Sequence, residues 1–295
     1  MKKALLYGII SSLFFAATFV LNSSMNLSGG YWMWSASLRY FFMLLILFAF
    51  LWKTKRLGTV FDEIKRDKVS WFVYSTIGFG LFYAPLTFAS NYGESWLVAG
   101  CWQLTILAGI LLTPLFGKKF PIKSFAFSCI IIVGVFLIQY EQASNVSGKG
   151  ILLSILPILV AAFAYPFGNR KMMEVTDGRL TTLERVFGMT LMSMPFWIIL
   201  SGFAMVNSGL PNNNQVFQSL IVAIFSGVIA TILFFKATEL VKHNPNQLAI
   251  IEATQSGEVL FSVLGEVLLL AGAAPGPIGW IGLGIIILGM IFSAL

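Results

Sequence analysis

Apolar residues fill this chain in runs of about 20, separated by short polar breaks. The runs are continuous rather than alternating, which predicts helices and not β-strands. Ten can be drawn: 4–22, 35–52, 71–90, 96–116, 122–140, 150–169, 183–203, 218–238, 247–271 and 278–294. A helix of about 20 apolar residues matches a hydrocarbon core of about 30 Å. The pattern therefore predicts an all-α integral membrane protein with ten transmembrane helices. The longest connection, KTKRLGTVFDEIKRDKVS, is shorter than one span and leaves no room for a soluble domain.

Charge then orients the spans. Placing Lys2 and Lys3 in the cytoplasm puts all but two of the 19 basic residues in or beside cytoplasmic segments. Lys149 falls outside and Arg39 falls within a span. Such a bias is what sets membrane orientation, and one missed span would scramble it. Both termini are expected in the cytoplasm. The opening MKKALLYGIISSLFFAATFV resembles a secretory signal, but the spans that follow make it a retained first helix.

Composition agrees. The 295 residues are 58% hydrophobic and 11% charged, with mean hydropathy +0.86, where soluble domains carry about 25% charge. A net charge of +7 would suggest nucleic acid in a soluble chain. Here it is explained by the cytoplasmic loops, so the expected partners are the lipid bilayer and a small molecule, with no nucleic acid. Cys101 and Cys129 lie singly in apolar runs and read as packing residues. His243, the one histidine, sits in the polar loop KHNPN. No metal site and no cofactor are expected.

The two halves resemble each other. SLRYFFML (37–44) matches LERVFGMT (183–190), aligning Arg39 with Arg185; IIIVG (130–134) matches IIILG (285–289). Gly117 of LFGK matches Gly265 of LGE, and Asn22 matches Asn169. All four fall in the same order. They define a first five-helix repeat, 1–145, and a second, 146–295. Five is odd, so the second repeat enters the membrane inverted, as is common in secondary transporters whose site lies near the midplane.

With five plus five spans, the L-R-[YV]-F starts of spans 2 and 7, the small-residue spans 5 and 10 and the L-G-E of span 9, the whole chain resembles the drug/metabolite transporter superfamily. It looks most like the EamA-like and multidrug-efflux branch. The resemblance implies an exporter of a metabolite or drug, with a central cavity between the halves and spans 5 and 10 more peripheral. It names no substrate. It also implies a departure: four-span small multidrug resistance relatives couple protons through a glutamate in their first helix, whereas spans 1 and 6 here carry no acid.

Span 9 does carry acids. At about 100° per residue, Glu252, Gln255, Glu258, Ser262 and Glu266 fall within one sector of about 120°. Counted from Gln247, Glu258 lies about 17 Å deep, near the midplane; Glu252 is about 8 Å and Glu266 about 29 Å in. An acid in a membrane helix is costly and marks a site. Glu258 is expected to line the cavity, as a proton or cation site or else as a neutral hydrogen-bonded acid. Glu252 divides between cavity lining and a structural pair, and Glu266 reads as an interfacial acid.

Arg39 could pair with a span 9 acid or hold an anionic substrate group. It lies about 12 Å deep if its helix starts near Tyr31, or about one turn deep if it starts near Ser35. Asn22 and Asn169 end spans 1 and 6 and read as caps or polar cavity residues. Gln103 and Trp102 of span 4, the repeat mate of span 9, could bond and stack on substrate, or simply pack. Tyr31, Trp32, Trp34, Trp71 and Trp96 read as interfacial aromatics. Pro85, Pro114, Pro157, Pro166 and Pro195 should kink their helices.

The leading expectation is a secondary-active exporter working by alternating access. No GxxxxGK[ST] loop binds nucleotide, which leaves proton or substrate exchange as the drive. The alternative is an amino-acid or organic-anion carrier that uses Arg39. An enzyme is not expected, because neither HExxH nor GxSxG occurs. A sensor would lack an output domain. The expected location is a bacterial plasma membrane.

Overall fold

The computed structural model describes residues 1–92, 95–143, 148–270 and 275–294. The proposed boundary between residues 145 and 146, and the end of span 9 at residue 271, lie outside them. The helices are α1 (Lys2–Leu27), α2 (Trp32–Lys53), α3 (Leu57–Arg66), α4 (Lys68–Ser75), α5 (Leu81–Ala89), α6 (Ser95–Trp102), α7 (Leu104–Leu112), α8 (Ile122–Ala143), α9 (Gly148–Thr176) and α10 (Thr182–Met192). They continue as α11 (Met194–Ser208), α12 (Asn213–Val222), α13 (Thr231–Val241), α14 (Pro245–Ala253), α15 (Gly257–Leu269) and α16 (Pro277–Ala294). Among the described residues six helices are long and apolar enough to cross a membrane, or seven counting the bent pair α10–α11.

Several apolar runs are single helices with a local change of winding. A wide π turn, Thr76–Gly80, joins α4 to α5, and another, Ala223–Ala230, joins α12 to α13. A tight 3-10 turn, Thr254–Ser256, joins α14 to α15. The α10–α11 run bends by 46° beside Pro195, which has no N–H to continue the ladder. Proline thus kinks that run, whereas the π turns arise in Gly-containing stretches without proline.

The ends of the helices are tied by ion pairs at one face of the bundle and by hydrogen bonds at the other. Arg56 Nε stands 2.7 Å from Glu184 Oε1, and Glu63 takes both Arg66 and Arg179 at 2.9 Å. Thr181 and Glu184 form a capping box that starts α10. The loop after α2 thus meets the α9–α10 loop, as the charge pattern requires if both lie on one side of the membrane. At the other end Gln215 Nε2 donates to the Tyr31 carbonyl and to Ser35 Oγ, each at 2.8 Å. Trp34 Nε1 donates to the Gly209 carbonyl at 2.8 Å. α3, part of a loop in the sequence reading, is an amphipathic helix that buries Val60 and Ile64.

α8 and α16 pack against each other along their lengths. A Cβ on Gly134 would fall 2.7 Å from the Gly282 carbonyl, so the two backbones touch where a side chain would not fit. Small residues at such crossings let membrane helices approach closely.

Two sequence expectations change. α1 and α9 run on to Leu27 and Thr176, so Asn22 and Asn169 lie inside helices and cap nothing. The polar residues beyond them continue the helix because their hydrogen bonds are made inside the bundle. Trp71 is fully buried and Trp96 nearly so, which removes both from the interfacial belt.

Candidate functional site

The 3-10 turn of Thr254–Ser256 interrupts the helix that carries the acidic stripe. Three residues wound at 3.0 rather than 3.6 per turn add a rotation of about 60°. That rotation narrows the angle between Glu252 and Glu258 from about 120° to about 60°, but the two acids stay six residues, about 9 Å, apart along the axis and meet different surroundings.

Glu258 is 1% exposed and lines a small cavity at the centre of the helices. Gln255, Thr18, Trp102, Tyr165 and Ser226 supply its other polar groups, with Phe15 and Phe82 among its apolar walls. A side-chain hydrogen bond joins Glu258 to Trp102; the indole has only a donor to offer. Trp102 is held by Phe82 and Tyr165, with ring centroids 5.1 and 5.8 Å away. The Tyr165 hydroxyl and Gln255 Oε1 have no hydrogen-bond partner among the described residues. The cavity measures about 10 Å³, space for about one water. The structure is closed around it.

Glu252 is instead engaged by Arg170. Nη2 stands 2.7 Å from Oε2 and 2.8 Å from Oε1, and Nε 3.1 Å from Oε1. Arg170 Nη1 donates to Thr113 Oγ1 at 3.3 Å. Both side chains are 5% exposed. A Cβ at Gly109 would overlap the Glu252 carboxylate, so glycine leaves the room this acid occupies. Arg170 also forms part of the wall of a larger cavity of about 250 Å³, with Phe116, Lys118, Lys242 and His243 around it. His243 is exposed there.

The remaining candidates are dispersed. Glu266 accepts a short hydrogen bond from Ser95. Gln103 turns back to its own helix, donating to the Ala99 carbonyl at 2.9 Å. Asn22 Nδ2 donates to the Tyr83 hydroxyl at 3.4 Å and Asn169 Nδ2 to Thr238 Oγ1 at 3.2 Å. Arg39 is 1% exposed and meets no carboxylate within ion-pair distance among the described residues. Its Nη2 donates to Ser226 Oγ at 3.1 Å, and its guanidinium lies 3.8 Å from the Tyr83 ring centroid. Ser226 also accepts from Thr18 at 2.5 Å, so Arg39 reaches the wall of the central cavity through one hydroxyl. The site thus brings together Glu258, Gln255 and Trp102, with Arg39 one residue behind. It leaves out Glu252, Glu266 and Gln103.

Sequence reasoning missed Arg170, Tyr165, Thr18 and Ser226. Arg170 was counted among cytoplasmic loop charges, although Asn169-Arg170 continues the helical register of the apolar run before it. The hydroxyl residues carry no signal in sequence, since serine and threonine are frequent in any membrane helix.

A bundle of long apolar helices around a small internal cavity with a buried acid on its wall is the architecture of an all-α multi-pass membrane protein. The chain matches the EmrE family, described as "Putative multidrug resistance efflux transporter", over residues 2–295, and it belongs to that family within the drug/metabolite transporter superfamily. It is 49% identical over 301 residues to the uncharacterized protein YjlA of Bacillus subtilis (strain 168), covering 98% of this chain and 93% of that one. It is 47% identical over 266 residues to an uncharacterized 42.1 kDa protein of Shouchella clausii, covering 87% of this chain and 70% of the other. A solved crystal structure of 14% identity shares the fold with a TM-score of 0.73, over 99% of this chain and 96% of that chain.

Proposed function

We propose that this efflux transporter is a secondary-active exporter in a bacterial plasma membrane. Ten spans form two inverted five-helix repeats with both termini in the cytoplasm. The repeats rock about the central cavity, exposing it to one side and then the other. Glu258 is the coupling group: it takes either a proton or a cationic substrate group, and a site that cannot hold both couples their fluxes.

One observation carries this reading. Glu258 is an acid at the wall of the central cavity, bonded to an indole and, among the described residues, to no basic side chain, while its neighbour Glu252 is committed to Arg170. A buried acid with no cationic partner is a costly feature for a membrane helix to carry. Proton exchange gives it a use.

The test is proton-driven flux in proteoliposomes. Wild type and Glu258→Gln are compared under an imposed pH gradient with ethidium as the transported cation, and proton movement is read from an internal pH dye. Coupled movement in wild type, lost in the variant at equal protein content, supports the reading. Coupled movement that survives in Glu258→Gln removes Glu258 from the mechanism.

A further inference from the structure

Arg39 and its repeat mate Arg185 are both 1% exposed. Each leaves two of its three guanidinium nitrogens without a hydrogen-bond partner among the described residues: Nε and Nη1 on Arg39, Nε and Nη2 on Arg185. Each faces one ring of the opposing segment, Tyr83 at 3.8 Å for Arg39 and Phe235 at 5.5 Å for Arg185. Here the likeness ends. Four residues beyond Phe235 stands Glu239, whose Oε2 is 3.5 Å from Arg185 Nη1. Four residues beyond Tyr83 stands Thr87, and its hydroxyl turns back to the Tyr83 carbonyl at 2.8 Å. The second half supplies its arginine with a carboxylate; the first half does not.

A buried guanidinium has five donors to satisfy, and leaving them bare is expensive. The Tyr83 ring offsets part of that cost, and Ser226 takes one bond. Arg39 meets the central cavity through Ser226, which Thr18 also bonds, and Glu258 stands on that same cavity.

We propose that Arg39 receives an anionic group of the substrate, so that the transported molecule is an organic anion or, with its ammonium toward Glu258, a zwitterion. This rests on the central cavity being the transport site. In the closed form Ser226 and Thr18 shield the arginine. When the cavity opens, a carboxylate displaces their mutual hydrogen bond and completes the charge that Glu239 completes for Arg185.

The test uses three probes with one ring and different charges: phenylalanine, 3-phenylpropionate and 2-phenylethylamine, radiolabelled, bound to the full chain in nanodiscs. Phenylalanine and 3-phenylpropionate should bind wild type. Arg39→Gln should weaken both about tenfold or more, the worth of a lost charge-assisted bond, while Arg39→Lys retains most of the binding. Thr87→Glu, which restores the acid found in the second half, should abolish 3-phenylpropionate binding without lowering the melting temperature. Binding confined to 2-phenylethylamine, or 3-phenylpropionate binding unchanged in Arg39→Gln or Thr87→Glu, overturns the proposal and leaves the exporter standing. No binding of phenylalanine or 3-phenylpropionate to wild type likewise overturns the proposal, while the exporter reading stands or falls by the proteoliposome flux. If Arg39→Gln does not fold, the wild-type probe order and Thr87→Glu still decide.

Discussion

Arg170 and Glu252 make a two-pronged ion pair, 2.7 Å at its shortest, with both side chains almost wholly withdrawn from solvent. The pair joins α9 to α14 and stands between the 250 Å³ cavity that Arg170 lines and the stretch of span that carries Glu258. Arg170→Met alone leaves Glu252 as an uncompensated acid and should cost about 3–5 kcal/mol. The double variant Arg170→Met with Glu252→Leu removes both charges and should recover most of that loss. Unfolding in detergent, followed by tryptophan fluorescence, gives both values. A double variant as unstable as the single one would mean the charges matter to the fold in themselves.

Gly109 sets the position of that pair. Gly109→Ala places a methyl group on the Glu252 carboxylate and should destabilise by about 1–3 kcal/mol, the usual cost of overpacking. Shortening the acid in the same protein, Gly109→Ala with Glu252→Asp, should return part of the stability. A melting curve for Gly109→Ala that superposes on wild type would show that the acid has other room.

Which features the sequence disclosed follows from the range of the interaction behind each. Apolar runs depend only on the solvent, and each of them is helical here. The charge bias groups loops by side of the membrane, and the Arg56–Glu184 pair brings two of those segments together without fixing a side. Glu258 stood out because an acid in such a run is rare. Arg170 did not, because a basic residue near a helix end looks the same whether it faces water or Glu252. The five residues of α1 beyond Asn22 were read as loop for a similar reason: Asn26 donates to the Ser90 carbonyl, a partner 64 residues away. The winding changes at Thr76, Ala223 and Thr254 have no local sequence mark, since they answer to packing between helices.

Trp102 offers a milder perturbation of the cavity. Trp102→Phe keeps a ring against Phe82 and Tyr165 and removes the donor that reaches Glu258. The loss of one such bond is worth about 1 kcal/mol, so substrate affinity should fall about fivefold with little change in melting temperature. Flux measured against substrate concentration in proteoliposomes checks this. An unchanged half-saturation concentration would show that the indole contributes packing alone.

At the α8–α16 crossing, Gly134→Leu would drive a side chain into the Gly282 carbonyl. Separation of the two helices, by about 1–3 kcal/mol of lost stability, is expected in a thermal melt. Gly202, on the exposed surface of α11 with nothing near its Cβ position, is the control: Gly202→Leu should leave the melt within about 0.5 kcal/mol of wild type.

The closed cavity has a consequence for the membrane that holds this protein. A chamber with room for a single water cannot support a continuous file of waters from one face of the bilayer to the other. Protons move along such files far faster than any carrier turns over. With Phe15, Phe82 and Trp102 packed around that chamber, this closed form has no water path through it, and a protein held so would not leak protons at that point.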